Sequence, residues 1–362
     1  MELVILVFFL FLIIVEVLSI VLLLYKGIVP VNHQREEEKP VVTVLLAVRN
    51  EGNNIRRCVE SLVNQTYAKE KYHITIGNDN STDNTAEVLG ELKTSHPWIE
   101  VYDIPERGGE KARAKVRVLS HLIKHAKGKY YLITDADMEL PPKWIETMVN
   151  SIGNRGVLSG ITGVEDSKRQ NYEWLTTLGR IYIASTFGFG TTSIGNNMIL
   201  SAACYIKTKG FENFTTLTED KEIYDSVKKA GYKRDILFTP EIIGKTRAVC
   251  GFKNLFQQRK RWMTGAFKVS RVVLMVLVIQ VLVFPMALAG IFINPLIAVA
   301  LLGGYFLARV LTGAIILKKL KEPVDLFFLG ITEVTSNLLN LYTLLSFMNG
   351  NAVIWKAKKH KM

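Results

Sequence analysis

The most constraining feature of the sequence is an almost wholly apolar run from Leu3 to Tyr25, which only Glu16 and Ser19 interrupt. At about 1.5 Å of rise per residue, a helix of this length crosses a bilayer core of roughly 30 Å. A cleaved signal peptide fits less well, because no basic segment precedes the run and no small-residue cleavage site follows it. We therefore expect residues 1–26 to form a transmembrane helix.

Three further apolar segments lie near the other end of the chain. Val272 to Phe292 and Leu296 to Leu317 are two candidate spans joined by a short turn, which favours a hairpin. Val324 to Met348 is a weaker candidate, because it carries Asp325, Glu333, Asn337 and Asn340. This last segment can span the membrane, re-enter it or lie at its interface. We expect residues 272–362 to form a transmembrane region.

The chain carries a formal net charge of +12, and its basic residues concentrate beside the apolar runs, at Lys26 and within 253–271, 318–321 and 356–361. In a soluble protein such an excess would favour a nucleic-acid partner. A membrane explains it better here, because Lys and Arg next to spans mark the cytoplasmic side. We predict an integral protein of a bacterial inner (plasma) membrane, with the region between the spans cytoplasmic and no nucleic-acid partner.

Between the apolar ends, the pattern changes to alternating strands and helices. Residues 27–40 resemble a linker, and 41–250 a domain. Strands are predicted at Val41–Val48 and Tyr72–Ile76, and helices at Ile55–Gln65 and Thr85–Leu92. This alternation predicts an α/β fold with a mostly parallel sheet of the nucleotide-binding type. Each strand ends in a polar turn, where open α/β sheets bind ligands, although Asn, Asp and Ser also simply form turns.

A third predicted strand, Tyr130–Thr134, is followed by Asp135 and Asp137. Two carboxylates at the end of a strand suit Mg²⁺ or Mn²⁺ held jointly with a phosphate. As an isolated motif, Asp-x-Asp is more often a loop cap. The metal hypothesis therefore depends on what surrounds the motif.

The segments Val44–Glu51, Cys58–Tyr67 and Asn78–Thr85 together resemble the opening of family 2 glycosyltransferases of the GT-A type. The resemblance implies that Asp79 binds the nucleotide base and that Glu51 contacts the nucleoside. Asn78 stands where the usual pattern has a first aspartate. The fold implied is a GT-A nucleotide-sugar-binding domain with a mostly parallel central sheet, here with N- and C-terminal transmembrane helices.

Two further stretches extend the resemblance along the same domain. Gly108 to Ala114 resembles the family's Gly-Lys-Ala segment, which makes Lys111 and Arg113 candidate diphosphate contacts. Ile194 to Met198 falls where the family shapes its acceptor pocket.

The acidic motifs of the family supply the remaining roles in this domain. By the resemblance, Asp137 is the direct metal ligand, and Asp135 is a ribose or metal partner. Thr218-Glu219-Asp220 resembles the third acidic motif, in which Asp220 is the catalytic base. A plain helix N-terminus, capped by Thr218, is the alternative interpretation of that stretch.

Residues 251–271 combine apolar and basic side chains at helical spacing, which predicts an amphipathic helix on the membrane surface. Within it, Gln258, Arg261 and Trp262 match the Gln-x-x-Arg-Trp motif of the membrane-associated branch of the family. At i, i+3 and i+4 they share one helix face. An amide, a guanidinium and an indole so placed can hold a diphosphate and stack on a sugar or acceptor.

The function implied is inverting hexosyl transfer, with Mg²⁺ or Mn²⁺, from a nucleotide sugar to a lipid or other membrane-associated acceptor. A UDP-sugar is the favoured donor. A processive polysaccharide synthase is the first alternative, because such enzymes share the Gln-x-x-Arg-Trp motif. An inactive nucleotide- or lipid-binding membrane scaffold is the second.

Overall fold

The computed structural model of the chain describes residues 1–26, 38–105, 114–188, 193–208, 219–269, 271–348, 353–355 and 358–360. The chain divides into two compact units. The helical unit comprises residues 1–28, 166–191 and 248–362. The sheet unit comprises residues 29–165 and 192–247. Each is described by itself.

Where the sequence analysis predicted the bounds of a helix or strand, the observed bounds agree with them to within a few residues. The helices are α1 (Glu2–Lys26), α2 (Ile55–Val63), α3 (Thr85–Ser95), α4 (Ala114–Ile123), α5 (Trp144–Ile152), α6 (Lys168–Thr186), α7 (Ala202–Lys207), α8 (Glu219–Lys229), α9 (Phe252–Val269), α10 (Arg271–Ile291), α11 (Pro295–Lys319) and α12 (Leu326–Met348). The strands are β1 (Val42–Val48), β2 (Tyr72–Asn78), β3 (Glu100–Asp103), β4 (Tyr130–Asp135), β5 (Arg155–Ser159), β6 (Thr162–Glu165), β7 (Asn197–Ser201), β8 (Lys233–Ile236), β9 (Gly244–Arg247), β10 (Val353–Trp355) and β11 (Lys358–His360).

The main sheet of the sheet unit contains seven described strands in the order β3-β2-β1-β4-β7-β5-β8. Its β7 strand is antiparallel to both of its neighbours, and the other adjacent pairs are parallel. The predicted α/β class and mostly parallel sheet are therefore confirmed. The register sets Ala47 of β1 beside Asp135 of β4 and Val48 beside Asn78 of β2, so the polar turns after these three strands meet at one edge.

Close packing of α4 on the sheet helps to form this edge. Val118, Leu119 and Leu122 of α4 are fully buried in the core. Gly77 of β2 lies beneath α4, and a side-chain carbon at that position would overlap the Val118 side chain. The missing side chain therefore lets the helix lie close to β2. The same packing keeps the first described turn of α4 near the carboxyl ends of the central strands.

A second, two-stranded sheet pairs β6 with β9 in parallel. A bridge joins Glu139, just beyond β4, to Lys245 in β9, with reciprocal backbone hydrogen bonds of 2.8 Å. This bridge brings the next residue of β9, Thr246, beside the loop that follows β4.

In the helical unit, two of the described helices are long and apolar enough to cross a membrane, over Glu2–Tyr25 and Pro295–Lys319. The predicted segment at 272–292 forms helix α10, of which Val278–Ile291 is a shorter apolar stretch. The segment at 324–348 forms helix α12. Large apolar side chains along α1 are exposed, among them Leu3, Val7, Phe11, Ile14, Leu18 and Leu24.

A network of four charged side chains, three of them buried and Arg180 partly exposed, joins four helices of the helical unit. Arg309 of α11 donates to Glu333 of α12 at 2.7 Å and to Glu16 of α1 at 3.4 Å. Arg180 of α6 pairs with Glu333 at 3.0 Å and with Glu16 at 3.5 Å. Two guanidinium groups and two carboxylates balance, so the network places no net charge in the interior.

Candidate active site

Asp135 ends β4, and Asp137 follows in the next turn. The Thr246 hydroxyl donates to Asp137 Oδ2 at 2.9 Å. Burial, with the nearby charges of Asp135 and Glu51, raises the pKa of Asp137 to about 6, against the lowering effect of the Thr246 hydrogen bond. The charges of Asp135 and Glu51 therefore both lie close enough to Asp137 to disfavour its ionised form.

Glu51 reaches this group from the turn after β1. Its backbone N–H donates to the Thr85 hydroxyl at 2.9 Å, and its side chain accepts from Asn54 Nδ2 at 2.9 Å. These contacts connect the turn after β1 to the start of α3. The structure thus groups Glu51 with Asp135 and Asp137, three of the residues that the sequence selected.

The carboxylates fit a divalent cation that is shared with a ligand. Within the described ranges, no three His, Cys, Asp or Glu side chains form a ready metal cage. Two aspartates nevertheless suffice where phosphate oxygens and water complete the coordination. The raised pKa of Asp137 supports this fit, because a cation beside Asp135 and Asp137 would offset both the burial and the repulsion from Asp135 that raise it.

Asp79 follows β2, and its carboxylate is buried between two guanidinium groups. Arg49 approaches Asp79 Oδ2 at 3.3 Å, and Arg117 of α4 forms an ion pair with Oδ1. Arg117 also donates to the Pro105 carbonyl at 2.6 Å. Sequence reasoning assigned a binding role to neither arginine. Arg49 lies within the first segment of the resemblance, and Arg117 lies outside all of its segments. Carboxylate and guanidinium groups together can accept from and donate to the edge of a base.

The preceding residue, Asn78, has a local contact of its own. Its side chain donates to Asp103 Oδ1 in β3 at 2.9 Å, and its Oδ1 accepts from the Ser81 backbone N–H at 3.3 Å. Asn78 therefore holds the polar turn after β2 against the edge strand.

Asp220 lies in the first described turn of α8 and packs against Gly195. A side-chain carbon at Gly195 would overlap the Asp220 carboxylate, so this close approach requires glycine. The Gly195 carbonyl accepts from Lys115 Nζ at 3.3 Å, and the same ammonium lies 2.7 Å from Asp135 Oδ1. Lys115 thus connects the metal motif to the loop beside Asp220.

The side chain of the neighbouring Asn197 forms three hydrogen bonds within the protein interior. Its Oδ1 accepts from Trp144 Nε1 at 2.8 Å, and its Nδ2 donates to the carbonyls of Ile161 and Ile242 at 2.8 and 2.9 Å. Asn197 is fully buried. It ties β7 to the backbone segments of Ile161 and Ile242. The predicted diphosphate contacts Lys111 and Arg113 lie outside the described residues.

The helix predicted to carry the Gln-x-x-Arg-Trp motif is α9, which belongs to the helical unit. Trp262 stacks on Trp174 of α6 with ring centroids 4.5 Å apart, and the Arg259 guanidinium lies 4.4 Å from the Trp262 ring. Arg259 in turn pairs with buried Glu173 at 2.8 Å. Gln258 and Arg261 are partly buried. Sequence reasoning selected the motif but missed Trp174 and Glu173, which lie almost ninety residues earlier.

Two family sequence models match the chain. "Glycosyl transferase family 2" matches residues 43–213, and "Glycosyl transferase family group 2" matches residues 130–345. The second match covers more than half of the chain and includes helices of both units.

Curated relatives and a solved structure agree with that match. The glycosyltransferase AglE of Haloferax volcanii is 29% identical over 118 residues, which are 33% of this chain and 37% of that protein. The poly-beta-1,6-N-acetyl-D-glucosamine synthase of Staphylococcus aureus is 26% identical over 248 residues, 64% of this chain. This chain spans only 56% of the synthase.

Among solved structures, the mannosyltransferase PcManGT from Pyrobaculum calidifontis, in complex with GDP-Man and Mn²⁺, has a TM-score of 0.52 at 16% identity. The match covers 86% of this chain and 87% of that one. At this identity the likeness establishes the fold, which is of the GT-A type. The matching family models, the relatives and the sheet with its acidic edge lead to one conclusion: this chain belongs to the family 2 glycosyltransferases.

Proposed function

We propose that this protein is an inverting, metal-dependent glycosyltransferase that moves a sugar from a nucleotide sugar, with a UDP-sugar favoured, to a lipid or other membrane-associated acceptor. Family membership accounts for the transferase activity. One observation supports the proposed metal site and catalytic base together. Lys115 contacts both Asp135, which precedes the loop after β4, and Gly195, which lies against Asp220.

In this proposal, the donor binds along the acidic edge of the sheet. Asp79 and Glu51 contact the nucleoside, and Asp135 and Asp137 hold Mg²⁺ or Mn²⁺. The cation would neutralise negative charge on the departing diphosphate. Lys111 and Arg113 add positive charge around the phosphates.

Asp220 acts as the general base. Its carboxylate takes the proton of the acceptor hydroxyl as that oxygen attacks the anomeric carbon, while the bond from that carbon to the diphosphate oxygen breaks. A single displacement of this kind inverts the configuration and forms no sugar–enzyme intermediate. Gly195 supports this role, because it leaves room for the carboxylate beside a backbone segment rather than a side chain.

A membrane-bound acceptor is favoured by the surface of the helical unit. Large apolar side chains are exposed along α1, which has the length of a membrane span. Lipid tails are the natural cover for such a surface, because continuous apolar patches of this size are rare on soluble proteins. Gln258, Arg261 and Trp262, in the same unit, would then contact the diphosphate or acceptor near the headgroups, with the sheet unit in the cytoplasm of a bacterial cell.

A processive polysaccharide synthase is the second candidate. It is favoured by the 26% identity with the poly-beta-1,6-N-acetyl-D-glucosamine synthase over 64% of this chain. The two candidates differ in product length. A single transferase adds one sugar to each acceptor, whereas a synthase produces a ladder of long chains.

The test uses the full chain in membranes with labelled nucleotide sugars, Mn²⁺ and a lipid extract. Mass spectrometry of the lipids should detect a mass gain of one sugar. Asp220→Asn should reduce transfer by about 100-fold or more and retain donor binding. Long products would favour the synthase, and binding without transfer by the wild type would favour the inactive scaffold.

A further inference from the structure

Lys115 connects two parts of the sheet unit that are far apart in the sequence. Its ammonium lies 2.7 Å from Asp135 Oδ1 and donates to the Gly195 carbonyl at 3.3 Å. Asp135 ends β4, and Gly195 belongs to the loop that leads into β7. One side chain of α4 therefore contacts both the Asp-x-Asp turn and the loop before β7.

The loop before β7 bears directly on Asp220. The Asp220 carboxylate packs so closely on Gly195 that an added side-chain carbon would overlap it. The backbone N–H of Ser193 also lies 3.5 Å from the Asp220 carbonyl. A shift of this loop would therefore move the surface against which the carboxylate rests.

We propose that Lys115 is a positioning residue for the transfer reaction: by holding the Gly195 carbonyl against the Asp135 turn, its ammonium fixes the loop that orients Asp220. The inference rests on the proposed function for the role of Asp220. It adds a residue that lies one position beyond the Gly108–Ala114 segment.

The surrounding charges explain why an ammonium is suited to this position. Asp137 is buried within reach of the charges of Asp135 and Glu51, and a cation against Asp135 offsets part of the repulsion at Asp137. An ammonium also has three donors, so it can serve a carboxylate and a carbonyl at once. An apolar side chain such as that of Met can do neither, and the neutral amide of Gln supplies donors but no charge.

The same geometry predicts competition with a metal ion. Lys115 and a divalent cation on Asp135 and Asp137 would be like charges only a few ångströms apart, so removal of the ammonium should strengthen metal binding. The Lys115–Asp135 pair is partly exposed, with side-chain exposures of 25% and 38%. A pair this exposed adds little to stability, and we expect the protein to fold without it.

The test compares Lys115→Met, Lys115→Gln and Lys115→Arg in the full-length protein. Lys39→Met is the matched control, because Lys39 forms a similarly exposed pair with Glu146 at 3.0 Å elsewhere in the sheet unit. Hydrogen exchange measures the loop directly, without any ligand. We expect amides at residues 193–196 to exchange at least about threefold faster in Lys115→Met and Lys115→Gln than in the wild type. The control should match the wild type.

Kinetics and Mn²⁺ titration supply the second readout. Lys115→Met should lower kcat by about tenfold or more through the loss of orientation, with little change in donor KM, and Lys115→Arg should restore most of the rate. Mn²⁺ should bind more tightly to Lys115→Met. Unchanged exchange at residues 193–196 would overturn the inference, and a loss confined to donor KM would make Lys115 a donor contact instead. Failure of the wild type to transfer any sugar would count against the proposed function, while the exchange measurement still decides the role of Lys115.

Discussion

The hydroxyl of Thr246 in β9 donates to Asp137 Oδ2 at 2.9 Å, across 109 positions of sequence. A hydrogen bond to the ionised carboxylate favours the charged form and lowers its pKa, against the burial and the neighbouring charges that raise it. The second, two-stranded sheet therefore helps to keep Asp137 ionised near neutral pH. This is the form that a metal ion requires.

Replacing Thr246 tests this relationship. Thr246→Val keeps the shape of the side chain but removes the donor, so the pKa of Asp137 should rise further above its ordinary value. At pH 6 to 7, more of the carboxyl group is then protonated, and we expect Mn²⁺ affinity to fall about three- to tenfold. Thr246→Ser keeps the hydroxyl and serves as the control. Equal affinities for the Val and Ser variants would mean that the hydroxyl has no influence on the site.

The pKa of Asp137 also sets a pH dependence for metal binding. With a pKa of about 6, the carboxyl is mostly protonated at pH 5 and mostly ionised at pH 7. Metal binding must displace the proton, so Mn²⁺ affinity should rise about tenfold between these two values and then level off. Titration by electron paramagnetic resonance measures it. Asp137→Asn should bind weakly at both pH values, and a retained tenfold rise in that variant would assign the titration to another group.

A methyl group at Gly195 should disturb the candidate catalytic base without disturbing the metal site. In Gly195→Ala, the new carbon overlaps the Asp220 carboxylate, which must move. We expect transfer to fall by about 100-fold, because misplaced catalytic groups lose rate steeply, while Mn²⁺ and donor binding stay near wild type. Gly90→Ala is the control, since nothing lies within 4 Å of the added carbon inside α3. Full activity of Gly195→Ala would show that transfer does not depend on the observed position of the Asp220 carboxylate.

Replacing Trp262 tests whether the helical unit binds the acceptor. Its ring lies against Trp174 and the Arg259 guanidinium. If this face binds the acceptor, Trp262→Ala should impair transfer more than donor binding, whereas Trp262→Phe should keep much of the rate because an aromatic ring remains. Separate measurements of the donor dissociation constant and of kcat provide the comparison. Equal losses of donor affinity and of kcat would indicate that Trp262 contacts the donor rather than the acceptor.

The buried charge network predicts a large effect on stability from a single change. Glu16→Ala leaves the guanidinium groups of Arg180 and Arg309 with one carboxylate partner, Glu333, in the interior. Removing one member of a buried ion pair costs about 3–5 kcal/mol, so the melting temperature in detergent should fall by many degrees. Glu16→Ala combined with Arg309→Met restores the charge balance and should recover part of the loss. Additive losses in the double variant would show that the two residues do not interact.

Much of this architecture was predictable from the sequence, because its signals are local. The run Tyr130–Thr134 is short and apolar and bounded by turns, so its strand is evident, and the paired aspartates follow at once. Helix α9 likewise has its apolar and basic residues at helical spacing. The α/β class then follows from the alternation of such elements.

The missed residues make contacts that span long stretches of chain. Arg117 and Lys115 lie among several basic residues at the start of α4, and only the packing of that helix on β2 directs them to Asp79 and Asp135. Helix α6 lies within the stretch 41–250 that the sequence assigned to one domain, yet its residues group with the helical unit. The residue pattern within α6 does not reveal to which unit the helix belongs. The helix belongs to the helical unit because it packs on Trp262 and Arg309, which come later in the chain.

The position of Glu16 has a practical consequence for anyone who shortens this protein. A first helix that only tethers an enzyme can be deleted to obtain a soluble fragment. Here the deletion would also take away half of the acidic partners that Arg180 and Arg309 share. Aggregation of such a truncated protein would then indicate that its helical unit is destabilised. Its lack of activity would be no test of the roles proposed for Asp137 and Asp220.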